Sequence, residues 1–259
     1  MSRLFRNKSA GEIVKKLVTK IIIERNLITE GDRVLIAVSG GKDSSVLAWA
    51  LSQVKPALKL NYELAALHIS TDFCACCKKN ILREKLEEWG IPFTDLFVPV
   101  IARLKKNRKM NCYWCSTQRR TELLKYAVEN GYNKIALGHH LDDIIETFFM
   151  NLLLKGTLLA MPILMKYRRY PVSLIRPLAL LEEKSVISCA NEQNILKNAC
   201  TCPYGQKSKR RDIRDKIEVL TGLSGETLSE VSCGKSGSGD IKRRMLRALG
   251  EGETDYLTE

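Results

Sequence analysis

The chain has 259 residues, 45% hydrophobic and 27% charged, with 42 Lys+Arg against 29 Asp+Glu for a formal net charge of +13. That length supports one large domain with appendages, the composition excludes a low-complexity or disordered chain, and no apolar run approaches the roughly 20 residues of a membrane span. The basic N-terminus, MSRLFRNKSAGEIVKKL, lacks the apolar stretch of a secretory signal, so the expectation is a soluble cytoplasmic protein with no membrane partner, and the clustered positive charge points to nucleic acid.

Apolar residues at helical spacing, from Ile13 and Val14 through Leu17, Ile21 and Ile22 to Leu27, predict a helix within 11–28. After the turn at Gly31-Asp32, residues 33–38 read as a buried strand and 43–53 as a helix. The alternation continues with strand 62–69, helix 76–89, strand 93–98, helix 116–130, strand 133–138 and helix 142–154. Short apolar strands alternating with helices predict an α/β fold: an open, Rossmann-like parallel sheet with helices on both faces and helical N- and C-terminal additions. Past Lys155, the steps Met161-Pro162, Tyr170-Pro171 and Arg176-Pro177 predict an irregular segment with one edge strand near 172–176. Helices near 182–195, 207–221 and 241–249 follow, the last two basic, with a Gly/Ser-rich loop at 232–240 between them. The expected organisation is an N-terminal helical extension over 1–30, an α/β domain over 31–200 and a basic helical segment over 201–259.

Ser39-Gly-Gly-Lys-Asp-Ser44 joins the first strand to the next helix, where open parallel sheets bind ligands. Gly40 and Gly41 let successive N–H groups face an anion, Ser39 and Ser44 add hydroxyls, Lys42 adds charge, and Asp43 suits the helix start. Ala37 ends the strand just before this turn, and Leu67-His68-Ile69 ends the second strand. Gly138, at the end of the fourth strand, permits close approach to a ligand. Asp142, Asp143 and Glu146 then open a helix within one turn, either as helix-dipole partners or as a Mg²⁺ site on phosphates, with Asp143 the best single choice.

Nine cysteines stand at 74, 76, 77, 112, 115, 189, 200, 202 and 233. Cys112-Tyr-Trp-Cys115 opens a predicted helix, and its spacing fits a redox pair, half of a zinc site, or two ligands of an iron–sulfur cluster; the residues alone leave all three open. The Cys74-Ala-Cys-Cys77 group reads as small hydrophobes in preference to a sulfur relay, and Cys189 and Cys233 receive no role. Basic Arg103–Lys109 precedes Tyr113 and Trp114, which suits single-stranded RNA held by phosphate contacts and base stacking, and Lys166–Tyr170, Lys207–Arg211 and Lys242–Arg247 extend the positive charge.

The string Ser39–Ser44 matches SGGxDS and resembles the PP-loop ATP pyrophosphatases. Together with Cys112/Cys115, Gly138–Asp143, Met161-Pro162 and Ile175–Leu178, it resembles the tRNA-cytidine 2-sulfurtransferases over about residues 1–220. The resemblance implies ATP at Ala37, Ser39, Gly40, Gly41, Lys42, Asp43, Ser44, His68, Ile69 and Gly138, with Mg²⁺ near Asp143. It also implies a 4Fe-4S cluster on Cys112, Cys115 and one later cysteine. That cysteine is read as Cys202, since Cys202-Pro-Tyr-Gly-Gln-Lys has the glycine and the basic residue that follow the family's third ligand; Cys200 is the alternative.

The implied reaction adenylates the C2 oxygen of a pyrimidine, cytidine 32 of the anticodon loop, and replaces it with sulfur. Cys112, Cys115, Asp143 and Lys42 are its candidate catalytic residues. The implied partners are tRNA, a sulfur donor (a cysteine desulfurase or sulfide) and a second copy in a homodimer. The alternatives are a uridine 2-sulfurtransferase, a lysidine-synthetase-like ligase that needs no cluster, and a zinc-stabilised RNA-binding protein.

Overall fold

The protein is described by a computed structural model over residues 9–73, 79–106, 108–195, 209–222 and 238–249. Six strands form one sheet: β1 (Arg33–Ala37), β2 (Glu63–Thr71), β3 (Phe93–Val98), β4 (Lys134–Ala136), β5 (Leu164–Lys166) and β6 (Ser173–Ile175), in the order β3-β2-β1-β4-β6-β5. β1 pairs in parallel with β2 and β4, so the winding reverses direction at β1. That reversal opens a crevice beyond the strand ends.

The strands are apolar on both faces, as buried parallel strands must be. Along β1, Val34 and Ile36 enter one core while Leu35 enters the other, and Leu64 and Ala66 of β2 oppose Leu67 and Ile69 in the same way. The first core is closed by α1 (Ala10–Glu24), α2 (Lys42–Leu58), α3 (Lys79–Glu88), α5 (Leu141–Lys155) and α6 (Glu183–Glu192). The second is covered chiefly by α4 (Cys112–Glu129), through Leu123, Leu124 and Ala127. Among the described residues, one face of the sheet carries most of the helices, and the other is covered by α4 with a cavity beneath it.

The strand expected near 172–176 exists as β6, but it is not an edge. It runs parallel to β4 through Lys134↔Ser173 and antiparallel to β5 through Met165↔Leu174. β5 itself is absent from the sequence reading, because three residues cannot display a period of two. Cys189 on α6 is buried in the first core, where burial, with a smaller push from Glu192, raises its thiol to about 12. It acts there as a small hydrophobe.

α7 (Lys209–Gly222) and α8 (Ser238–Ala248) pack on α5 and on each other, burying Ile213, Ile217 and Leu246. Among the described residues no helix is long and apolar enough to cross a membrane.

Candidate active site

A cavity of about 400 Å³ lies at the carboxyl ends of β1, β2 and β4, under α4. Ala37, Ser39, Asp43, Ser44, Ile69, Gly138 and Asp143 line it, so seven of the residues singled out for nucleotide or metal contact share one wall system. The opposite wall comes from α4, through Ser116, Arg119 and Arg120, with Leu123 and Leu124 deeper in. An apolar floor with convergent polar groups suits a nucleoside polyphosphate.

The phosphate loop owes its shape to two backbone constraints. Gly40 sits at φ +79°, a left-handed conformation that favours glycine. Gly138 has another reason to be glycine: an added Cβ would stand 2.9 Å from the Ser44 amide nitrogen and 3.0 Å from the Asp43 carbonyl carbon. The β4–α5 turn is thus pressed against the first turn of α2. Within the loop, Ser44 Oγ accepts from the Ser39 amide at 3.1 Å and donates to the Gly41 carbonyl at 3.1 Å, while the Gly41 amide donates to Ser39 Oγ at 3.3 Å.

Two predicted ligands of the nucleotide are placed otherwise. Lys42 does not line the cavity: its ammonium is 3.0 Å from Asp43 and 2.8 Å from Glu183. Burial works against that charge, but the two carboxylates outweigh it and hold the lysine above its ordinary value. His68 is 4% exposed, and its Nδ1 is 2.8 Å from the Val38 carbonyl, tying the end of β2 to the end of β1. Its neighbours Leu67 and Ile69 are the ones that reach the cavity.

The acids at the start of α5 divide. Asp143 lines the cavity, accepts from the His140 amide at 3.1 Å, and lies 3.5 Å from His140 Nε2. Asp43 approaches the same nitrogen at 3.9 Å, so two carboxylates from different helices converge at the loop. That donor set fits Mg²⁺, which takes one or two carboxylates and completes its shell with phosphate and water.

Asp142 and Glu146 face away, which leaves Asp143, the acid singled out from the sequence, as the one of the three that lines the cavity. Asp142 pairs with Lys242 of α8 and accepts from the Glu183 amide at 2.7 Å; Glu146 pairs with Arg214 of α7. Arg214 also reaches Glu183 at 3.3 Å, and Arg243 reaches Glu182 at 3.1 Å. Lys242 and Arg243, read from the sequence as part of a nucleic-acid surface, are instead spent on docking α8.

α4 starts at Cys112, capped by Asn111, whose side-chain oxygen accepts from the Trp114 amide at 2.8 Å. Cys112 is exposed and Cys115 partly buried; Ser116 and Arg119, at the cavity wall, stand one turn beyond Cys112 and Cys115 respectively. Tyr113 is 81% exposed, free to stack on a base, whereas Trp114 is half-buried with its indole N–H donating to the Val100 carbonyl at 3.0 Å. Among the described residues no three His, Cys, Asp or Glu side chains assemble as a metal site. Cys202, Cys200, Cys233 and Cys74/76/77 lie outside the described residues.

Three residues of the cavity neighbourhood escaped the sequence reading. Arg119 and Arg120 follow the C-x-x-C at helical spacing and could have been found by projecting α4 as a helix. Arg176 is 6% exposed, donating Nε–H to His139 Nδ1 at 3.3 Å and an Nη1 hydrogen to the Pro162 carbonyl. Its signal was the Ile175–Leu178 string itself, a charged residue inside a buried apolar run.

Residues 11–218 match the PP-loop domain family. The tRNA-cytidine(32) 2-sulfurtransferase of Methylococcus capsulatus is 40% identical over 242 residues, covering 85% of this chain and 81% of the relative. That of Syntrophotalea carbinolica is 33% identical over 249 residues, covering 94% and 92%. The chain belongs to the tRNA-cytidine(32) 2-sulfurtransferase family.

Among solved structures, the U34-tRNA thiolase NcsA from Methanococcus maripaludis, determined with its 4Fe-4S cluster, superposes with a TM-score of 0.72 at 24% identity, covering 94% of this chain and 80% of that one. At that identity the likeness establishes the fold. The PP-loop domain implies that the chain binds ATP.

Proposed function

We propose that this protein thiolates tRNA at C2 of cytidine 32, using ATP to activate the base. The observation that carries the reading is the construction of α4: its first turn holds Cys112 and Cys115, and its second lines the cavity whose far wall is the phosphate loop. A sulfur-bearing group and a nucleotide are thereby brought to the same base.

ATP lies with its phosphates over Ser39–Ser44, at the N-terminus of α2, where backbone N–H groups and the helix dipole favour anions. Asp43 and Asp143 are the carboxylates that would hold Mg²⁺, which would supply charge neutralisation for the phosphates. The C2 oxygen of the pyrimidine attacks the α-phosphorus, the bond to the β-phosphate oxygen breaks, and pyrophosphate departs. Arg119 and Arg120 stabilise the charge that builds on the phosphoryl oxygens. Tyr113 stacks on a looped-out base at the mouth.

Cys112 and Cys115, with Cys202 as the third thiolate, are the residues that would hold a four-iron cluster. Two cysteines spaced i, i+3 in the first turn of α4, one exposed and one partly buried, have the chemistry to bind iron. A bound cluster would supply a site for the incoming sulfide that replaces the adenylated oxygen, with AMP as the leaving group. The sulfur comes from a cysteine desulfurase or from sulfide. The enzyme acts in the cytoplasm as a homodimer, with the ATP-binding fold over 31–200 flanked by the helical segments at 1–30 and 201–259.

The test is iron and sulfide content, with a visible absorption spectrum, on protein purified without oxygen, followed by an assay for 2-thiocytidine in tRNA with ATP. About four irons per chain, lost in Cys112→Ser, Cys115→Ser and Cys202→Ser but kept in Cys233→Ser, is the expected result. Stoichiometric zinc without iron overturns the cluster. Activity that survives Cys202→Ser but not Cys200→Ser moves the third ligand.

A further inference from the structure

Arg176 poses a question that packing does not answer. A buried guanidinium is costly to desolvate, and a methionine of similar length would fill the same space without that cost. Burial, and to a smaller extent Arg120, bring its pKa down to about 10, against the opposing pull of Tyr167 and Asp143, so it remains a cation at neutral pH. Its bond to the Pro162 carbonyl accounts for one edge of the guanidinium. The Nε edge goes to a ring nitrogen of His139.

That bond has a defined direction. A guanidinium carries donors and no acceptor, so His139 Nδ1 must accept. A neutral imidazole accepting at Nδ1 carries its hydrogen on Nε2. His139 lines the cavity beside Ser39, Ser44 and Gly138. Because Gly138 is pressed against the Ser44 amide, the next residue is held beside the helix start where phosphates bind.

We propose that Arg176 is a positioning residue for His139: it fixes the Nε2–H tautomer, so that His139 offers a neutral N–H donor to a phosphoryl oxygen of the nucleotide. This rests on the reading of the cavity as an ATP site. A fixed donor of this kind costs no reorganisation when charge develops at the α-phosphate. With the opposite tautomer the ring would turn a lone pair toward the phosphates and repel them.

The chain has three histidines, so their ring nitrogens can be resolved and assigned by nitrogen-15 NMR on histidine-labelled protein, with His139→Gln identifying the relevant pair. In the wild type, His139 is expected to show an acceptor-type Nδ1 and a protonated Nε2. Arg176→Met should convert this to a mixture of tautomers while the His68 and His140 signals keep their pattern. A protonated Nδ1 in the wild type, or an unchanged tautomer in Arg176→Met, overturns the proposal.

Affinity for a non-hydrolysable ATP analogue supplies the second readout. Arg176→Met and His139→Gln should each weaken binding about tenfold, and the double variant should be no weaker than either. Additive losses mean that Arg176 acts otherwise than through His139. Should Arg176→Met fail to fold, Arg176→Lys keeps the buried charge but has no Nε–H to give His139, and is expected to shift the tautomer toward the same mixture. Wild-type protein that fails to bind the analogue overturns the ATP reading and the phosphoryl contact with it, whereas analogue binding with the wrong tautomer overturns the Arg176 proposal alone.

Discussion

Helix α5 faces two regions built from the same kinds of residue. On the cavity side, Asp143 stands with Asp43 near one histidine nitrogen, and the arginines opposite belong to α4. On the C-terminal side, Asp142 and Glu146 are each matched by a cation, from α8 and α7. Neighbouring acids in one turn therefore do different work, and what separates them is the element packed against each. In the seam acids and cations are matched across helices; in the cavity Asp43 and Asp143 face a wall that carries Arg119 and Arg120. A seam of that kind docks helices, whereas a cavity of that kind suits a polyphosphate.

Removing one acid from each side separates binding from docking. Asp143→Asn should reduce ATP-dependent pyrophosphate release by about a hundredfold or more while leaving the melting temperature close to wild type. Asp142→Asn should do the reverse, lowering the melting temperature with turnover nearly intact. Equal losses of turnover from both would erase the distinction.

Gly138→Ala tests whether close backbone approach defines the cavity. The new methyl meets backbone and not a flexible side-chain end, so the strain should cost about 1–3 kcal/mol and weaken ATP-analogue binding about tenfold or more. On the other side, Arg214→Met leaves Glu146, 2% exposed, without its guanidinium. Losing one member of a buried pair costs about 3–5 kcal/mol, but Arg214 is more than a third exposed and water screens it. The expected destabilisation in urea is accordingly about 2 kcal/mol.

The smallest effect is the response to acid. Burial alone would raise the carboxyls of Asp142 and Glu183. Lys242 and the Glu183 backbone amide override it for the first, and Lys42 and Arg214 for the second, so both lie below their usual values. Carboxylates depressed in the folded state contribute stability that is complete above their ordinary range and is lost as pH falls through the depressed values. Thermal melts should therefore fall off below about pH 4, and a combined Asp142→Asn, Glu183→Gln variant, less stable at neutral pH, should show a flatter acid limb.

The sheet and the phosphate loop were legible in the sequence because each is a local pattern. Val34–Val38 is a continuous apolar run, and Ser39–Ser44 places its special residues side by side. The seam was not legible, since Lys242 meets Asp142 across 100 positions of chain and looks from its own neighbours like a solvated cation. Trp114 read as a stacking aromatic for the same reason: the Val100 carbonyl that takes its N–H is brought there by β3. Arg176 was hidden within an apolar string, and β5 was too short to carry a period. Local chemistry thus survives in the sequence, while the choice of partner is made by the fold.

Lys42 sits where the two regions touch. Its ammonium is shared between Asp43, at the loop, and Glu183, which also takes Arg214 from the seam. A polyphosphate that draws Lys42 toward itself must compete with Glu183, and success leaves that carboxylate to Arg214. The loop thereby carries its own rival for the lysine, and the outcome of that rivalry is felt 172 positions further along the chain, in the grip of α7 on the body of the enzyme.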